Sequence, residues 1–360
     1  MSPVQVMALQ PVAVVDHVAW VRHAFLTDHV KEGEVGGSRR VDEFEMQQLL
    51  EKVESEGLET MGINENLNTK NTISTRAGGS AANTARGLAK GFGVKAGLLG
   101  AVGDDDWGDL FLNAMRRNDV DVSTLTTKPG KTGRCVCLVD PDGQRTMRTC
   151  LENAVRVDRE QLQDCLTVGT EWLVVPGYAF YRDGLVEAAI AAAKNKKVKI
   201  ALALASFEIV HKFKPQIGTL IKSGDIDIVF ANEDEAFALV SGNDENVSEK
   251  QKMLDTFLET IVTCSPDSTA VCTLGALGCL ARKGTETVSS NALHGFCVRD
   301  TTGAGDLFVS GFLAATLDEN NSLQKCAELG CVAGAAATQC IGAEVSDEVW
   351  KWMQRVCVDG

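Results

Sequence analysis

The sequence predicts an α/β fold built on a mostly parallel sheet with helices on both faces. From residue 171 onward, short β-branched runs alternate with helical stretches, the pattern that parallel strands joined by crossover helices leave in a chain. Near the end, Asp300-Thr301-Thr302-Gly303-Ala304-Gly305-Asp306 runs directly into Leu307-Phe308-Val309-Ser310-Gly311-Phe312-Leu313, an apolar helix whose first turn is a glycine-rich loop. Size agrees: 360 residues with 44% hydrophobic content suffice for one large α/β domain with an appendage, or for two domains.

Taken in order, residues 12–15 are β-branched and read as the first strand of the parallel sheet, with Asp16 at its carboxyl end, where ligands gather. Residues 28–42 are rich in turn formers, 41–56 carry helical periodicity with many acids, and 57–71 are polar and loop-like. Residues 72–75 alternate as a strand does and lead into Gly78-Gly79; a helix over 80–90 follows, with Asn83 in its first turns. A strand over 95–99 ends in a turn over 100–106, before an amphipathic helix over 109–118. Residues 132–150 read as a hairpin turning at Pro141-Asp142-Gly143, with Arg134, Arg145 and Arg148 solvating one face or, alternatively, reaching a phosphate. Strand–helix pairs come next: 173–175 with 184–194, 200–203 with 207–213, and 226–230 with 233–240, then a strand over 269–274 after a further helix. Residues 334–338 lie on a helix of small residues that Gly342-Ala343 ends. The β segments 72–76 and 132–150 stand outside the alternation.

A net charge of −14 argues against a nucleic-acid partner, since phosphate backbones need Lys/Arg surfaces. Twelve cysteines spread through apolar segments such as Cys135-Val136-Cys137 read as buried free thiols rather than a disulfide scaffold. No Cys-x-x-Cys pair or His cluster supports zinc. No apolar run reaches the ~20 residues of a membrane helix, and residues 1–19 lack the basic region and cleavage site of a signal peptide. A cytoplasmic location is expected. Three spacings are decoys: Gly130-Lys131-Thr132 lacks the earlier glycine of a P-loop, Gly91-Phe92-Gly93 joins helix to strand in the wrong order for a dinucleotide loop, and Glu208 with His211 occurs once where a bridged metal site needs the motif twice.

Chemistry concentrates on a few residues. A helix N-terminus leaves backbone N–H groups unpaired, and glycines let an anion approach them, so the loop ahead of Leu307 suits a phosphate. A carboxylate at Asp306 would repel that phosphate unless it has its own task, such as taking a proton from an attacking hydroxyl, worth ~10²–10⁴-fold in rate. The alternative is a glycine-rich turn in which Asp306 only starts the helix. Asp16 can accept hydrogen bonds from two adjacent sugar hydroxyls, or serve as a cap. Gly78 and Gly79 permit close approach of a ligand or make a simple turn, and Asn83 offers a donor and an acceptor to a hydroxyl. Asn232-Glu233-Asp234-Glu235 follows a strand and opens a helix, as a helix cap with acids in the first turn would.

The run 300–306 resembles the second signature of the ribokinase/PfkB family of carbohydrate and nucleoside kinases, and Ala77-Gly78-Gly79-Ser80-Ala81-Ala82-Asn83-Thr84-Ala85 resembles its first signature in the adenosine-kinase-like form. The resemblance implies a ribokinase-like fold in which the two odd β segments form a small lid. The large α/β domain then takes residues 1–15, 76–130 and 151–360, and the lid takes 16–75 and 131–150. It implies that Asp16, Gly78, Gly79 and Asn83 hold the acceptor, that Asp306 is the base, and that Gly303, Ala304 and Gly305 hold the transferring phosphoryl charge. It further implies that Asn232 and Glu235 order Mg²⁺ through water, that Thr273, Gly275 and Gly278 form a nucleotide loop, and that Asp300, Thr302 and Gly342 are positions for a monovalent cation such as K⁺.

The expected function is therefore an ATP- and Mg²⁺-dependent kinase acting on a primary hydroxyl. The Ala-Gly-Gly-Ser-Ala-Ala-Asn form and the segment of about sixty residues between Asp16 and Gly78 look more like the adenosine-kinase branch, favouring the 5′-hydroxyl of a ribonucleoside. A free sugar such as ribose or fructose is the alternative, and a catalytically silent binding subunit is the alternative of another class. The expected partner is this small-molecule acceptor, with no nucleic acid or membrane, in a monomer or homodimer.

Overall fold

The first strand of the larger sheet is β1 (Val6–Gln10), buried along its whole length. Sequence reasoning gave that place to residues 12–15. In the computed structural model, which describes residues 3–30, 35–56, 73–166, 168–241 and 250–359, that second apolar run instead begins β2 (Val14–Trp20) of a smaller sheet. Two short apolar runs separated by Pro11 are equally good strands, and periodicity alone does not say which sheet each joins. The loop expected over 57–71 lies outside the described residues.

After β2 come α1 (His23–His29), β3 (Ser38–Arg40) and α2 (Glu43–Ser55), whose cap Asp42 accepts from the Glu45 N–H at 2.7 Å. β4 (Ile73–Gly78) leads straight into α3 (Ser80–Arg86), which widens into a π-turn over Gly87–Gly91. β5 (Ala96–Gly103) is longer than expected and takes in half of the turn read over 100–106. α4 (Asp106–Arg117), capped by Asp105, then leads to β6 (Leu125–Lys128) and to the hairpin β7 (Gly133–Val139) and β8 (Arg145–Cys150). The second half runs α5 (Leu162–Cys165), β9 (Trp172–Pro176), α6 (Leu185–Asn195), β10 (Lys199–Ala203), α7 (Phe207–Lys222), β11 (Ile228–Asn232), α8 (Glu233–Val240), α9 (Lys250–Cys264) and β12 (Thr269–Thr273). It ends with the hairpin β13 (Cys279–Lys283) and β14 (Glu286–Ser290), then α10 (Ala304–Thr316), α11 (Leu323–Thr338) and α12 (Asp347–Asp359). α7 passes its expected end at Phe213 through a kink there, two residues before Pro215, whose missing N–H and ring clash disfavour straight helix.

The larger sheet has the order β14-β13-β12-β11-β10-β9-β1-β5-β6, parallel except for the β12–β13–β14 edge. Alternate residues of β1 enter opposite layers: Met7 and Leu9 pack with the helices of the second half, Val6 and Ala8 with the layer containing α3, α4, α10 and α11. α10 and α11 approach closely because a β-carbon at Gly311 would stand 2.2 Å from the Leu329 carbonyl oxygen. The smaller sheet has the order β3-β8-β7-β2-β4, with α1 and α2 packed on it through Phe25, Leu26 and Met46.

Candidate active site

Strand order reverses between β1 and β9, and in open α/β sheets ligands bind outside the carboxyl ends of strands at such a point. A cavity of about 410 Å³ opens there. Both sheets line it: Gln10 and Pro176 at the ends of β1 and β9, Asn232 and Thr273 at the ends of β11 and β12, Asp16 and Met147 from the smaller sheet, and the loop entering α10.

Asp306 sits in the first turn of α10. Its Oδ1 accepts from Ser80 Oγ at 2.6 Å, its Oδ2 accepts from Asn83 Nδ2 at 2.7 Å, and its main-chain carbonyl accepts from Thr84 Oγ1 at 3.2 Å. One turn of α3 thus holds a carboxylate more than half the chain away. Burial raises the Asp306 pKa, against the pull of the Ser80 and Asn83 hydrogen bonds and of Arg145 and Arg86.

Of the glycine-rich loop, Gly303 and Gly305 border the cavity. Gly303 has a positive φ of 76°, and a β-carbon there would lie 2.4 Å from that of Ala343. A β-carbon at Gly305 would meet no atom within 4 Å, so the start of α10 opens onto free space wide enough for an anion. The Ala304 N–H is donated to the Thr301 carbonyl at 3.2 Å, which sets it apart from its two neighbours. The Asp300 carboxylate, 1% exposed, accepts from the Thr302 N–H and hydroxyl at 2.8 and 2.6 Å and from the Gly342 N–H at 2.8 Å. It clamps the loop to the end of α11; Thr302 borders the cavity, and Asp300 and Gly342 stand behind it.

On the other side Asp16 projects from β2 over Gly78, and burial pushes its pKa up to about 7 against the opposing charge of Arg86. Gly79, at φ 97°, turns the chain from β4 into α3 past Gln10, whose Oε1 accepts from the Ala82 N–H at 3.0 Å. Asn83 borders the cavity, but its amide is committed to Asp306 on one side and to Arg86 on the other.

At the far end Asn232 and Glu235 form a reciprocal capping box: the Glu235 N–H donates to Asn232 Oδ1 at 2.9 Å and the Asn232 N–H to Glu235 Oε2 at 3.0 Å. Burial, opposed by the hydrogen bond from the Asn232 N–H and aided by the charges of Asp234, Asp306 and Glu208, raises the Glu235 pKa to about 7. Carboxylate and amide oxygens crowded in this way suit a hard divalent cation such as Mg²⁺, which needs only one or two protein carboxylates. Thr273 borders the cavity, whereas Gly275 and Gly278 do not. Gly278 serves the β13–β14 hairpin, where a β-carbon would come within 1.9 Å of the Ser290 carbonyl oxygen.

The hairpin arginines do not form a solvated face. Arg148 is 3% exposed, Arg134 pairs with Glu43, and Arg145 lines the cavity. Strand alternation sends residues 145 and 148 to opposite faces, and both faces of this sheet are covered. Sequence reasoning missed Ser80, Gln10 and Arg86, and gave Arg145 to a solvated face with a phosphate contact only as the alternative. Ser80 and Arg86 flank Asn83 at helical spacing, which was a readable signal; Gln10 was hidden by the misplaced first strand.

A profile of the family described as pfkB family carbohydrate kinase matches residues 46–350. Adenosine kinase from Schizophyllum commune is 28% identical over 288 residues, covering 77% of this chain and 81% of that protein. Ribokinase from Haemophilus influenzae is 29% identical over 282 residues, covering 75% and 83%. The solved structure of adenosine kinase from Sinorhizobium meliloti matches with a TM-score of 0.79 at 25% identity over 99% of this chain and all of that one. A probable sugar kinase from Rhizobium etli matches with a TM-score of 0.78 at 26% identity over 99% of each.

Proposed function

Since the chain belongs to the pfkB family of carbohydrate kinases, phosphotransferases acting on sugar or nucleoside hydroxyls, we propose that it moves the γ-phosphoryl of ATP to the 5′-hydroxyl of a ribonucleoside with Asp306 as general base. The observation that carries this reading is the convergence of Ser80 and Asn83 with Asp306 in the cavity floor, beside the open start of α10. In this reading Asp16 accepts hydrogen bonds from the sugar hydroxyls above Gly78 and Gly79, while Asn83 orients both the base and the acceptor. Asp306 takes the hydroxyl proton. The first turn of α10, at Gly303, Ala304 and Gly305, faces the charge that develops on the phosphoryl oxygens, with Gly303 and Gly305 nearest the cavity. Asn232 and Glu235 hold the water shell of Mg²⁺, and Thr273 borders the nucleotide, with Gly275 and Gly278 shaping the turn that follows it outside the cavity. When bound, ATP supplies the phosphoryl group and Mg²⁺ neutralises its charge. The reading extends K⁺ to the loop of Asp300, Thr302 and Gly342.

A ribonucleoside is favoured because the cavity is also lined by Tyr178, whose half-exposed ring offers a flat base a face to stack on, whereas the Tyr181 ring is already covered by Arg40 and Lys212. Free ribose is the second reading, supported by the ribokinase relative. An ADP-release assay with Mg²⁺ and K⁺ over adenosine, other ribonucleosides, ribose and fructose tests both. ADP formation that depends on a nucleoside supports the first reading, dependence on a free sugar alone replaces it with the second, and release that no acceptor stimulates removes both.

A further inference from the structure

Arg86, the last residue of α3, is 2% exposed. Its Nη2 donates to Oδ1 of Asn83, one helical turn earlier, and Asn83 in turn donates from Nδ2 to Asp306. Its Nε and Nη1 have no acceptor among the described residues. A buried guanidinium with two idle nitrogens is costly, and hydrogen-bonding to one amide oxygen does not offset that cost. Its surroundings are mainly carboxylates: Glu344, Asp16 and Asp306 act on it, with Arg76 opposing.

A guanidinium only donates, so an amide facing it must present oxygen. Arg86 therefore decides which end of the Asn83 amide is left for Asp306, and the end left is the N–H₂ donor. Reversed, the amide would set its oxygen against a carboxylate. Arg86 also stands among the charges that govern Asp306. These are Arg86 from α3 and Arg145 from β8 on the favourable side, and Asp16 from β2 and Glu235 from α8 on the other, with the phenol of Tyr178 nearby kept protonated and neutral by burial. Ser80 and Asn83 complete its neighbours with hydrogen bonds.

We propose that Arg86 is a positioning residue for phosphoryl transfer: it locks the Asn83 N–H toward Asp306 and holds that carboxylate ionised, ready to accept the hydroxyl proton. This rests on the reading of Asp306 as the base. Removing the cation raises the pH at which Asp306 loses its proton, so the acid limb of kcat moves to higher pH.

The test is the pH profile of kcat at saturating Mg·ATP and adenosine, or ribose if adenosine is not turned over, for the wild type, Arg86→Met, Arg86→Lys and Asp306→Asn. For Arg86→Met the acid limb is expected to rise by about one unit, from the effect of an opposite charge at this range. Its kcat then falls about tenfold at acid pH and recovers on the alkaline side, while ADP affinity by calorimetry stays near wild type. Arg86→Lys keeps the charge and is expected to move the limb less. A purely structural role would lower Tm and cut kcat by the same factor at every pH. That result, or an Arg86→Met limb that stays in place or moves down, overturns the proposal; if Arg86→Met does not fold, the neutral Arg86→Gln takes its place with the same expected limb. Wild-type turnover in Asp306→Asn would sink the base reading, whereas an inactive Asp306→Asn with unmoved limbs in the Arg86 variants sinks only the role of Arg86.

Discussion

The carboxylate of Asp16 rests directly on Gly78: a β-carbon at residue 78 would lie 2.0 Å from Asp16 Oδ2. In the β2–β4 ladder Val14 stands opposite Gly78 and Asp16 opposite Arg76, so the carboxylate reaches diagonally across the pair to cover residue 78. Any side chain at 78 must displace the carboxylate proposed to hold the acceptor. Gly78→Ala is therefore expected to raise the acceptor KM about 10–100-fold, the equivalent of one or two charge-assisted hydrogen bonds, with the ATP KM little changed. Steady-state kinetics with each substrate varied in turn checks this, and an unchanged acceptor KM would remove Asp16 from acceptor binding.

Asp306→Asn keeps the shape and the contacts to α3 but cannot take a proton. It is expected to lower kcat by about 10²–10⁴-fold while leaving ADP affinity near wild type. Single-turnover measurements with tightly bound ATP separate the chemical step from product release; turnover within tenfold of wild type would argue against the base.

Gly303 and Gly305 make a discriminating pair. At Gly303 the positive φ and the Ala343 contact make Gly303→Ala a folding defect, expected to lower Tm by several degrees. At Gly305 an added methyl meets nothing, and alanine favours helix by up to ~1 kcal/mol. Gly305→Ala should therefore keep or raise Tm while raising the ATP KM or lowering kcat, because the methyl occupies the space proposed for the phosphate. Calorimetry and kinetics on both variants give the comparison, and full activity in Gly305→Ala would move the phosphate elsewhere.

Asp16 and Glu235 both have folded-state pKa values raised to about 7, from ordinary values of 3.8 and 4.5. Between those limits the folded protein holds protons that the unfolded chain has released. Their contribution to stability is full below the ordinary values and is lost as pH rises through about 7. The ligand-free protein is expected to lose Tm between about pH 4 and pH 7 on this account. Glu235→Gln should flatten the slope, and so should Mg·ADP if a cation meets Glu235. Thermal melts across that range test the sign; a Tm that rises through neutrality in the wild type would contradict it.

Much of the fold was readable because alternation and turn chemistry agree along the second half of the chain, where β9 to β12 fall close to the strands read from sequence. The cavity residues that were legible either read as positions at or beside strand ends, as Asp16, Asn232, Glu235 and Thr273 do, or belong to two glycine-rich runs whose backbone demands leave a mark in the sequence, such as the left-handed φ of Gly79 and Gly303. What stayed hidden depends on which sheet a strand joins or on what covers a side chain. Residues 6–10 and 12–15 are alike in composition, and only the assembled sheets make Gln10 a cavity residue and Asp16 its counterpart on a separate sheet. Arg86 and Arg145 look like ordinary surface cations until the carboxylates around them are seen.

The direct passage from β4 through Gly79 into α3 ties the smaller sheet to the catalytic floor. β4 is paired with β2, which carries Asp16, and its next residues carry the Ser80 and Asn83 that grip Asp306. A tilt of the smaller sheet would be transmitted as a lever through a single glycine hinge to the turn that aims the carboxylate. In that case an acceptor large enough to draw Asp16 inward would also align the proposed base. A lone water molecule spans no such distance and would leave the carboxylate unaligned, so the same lever would disfavour hydrolysis of the nucleotide.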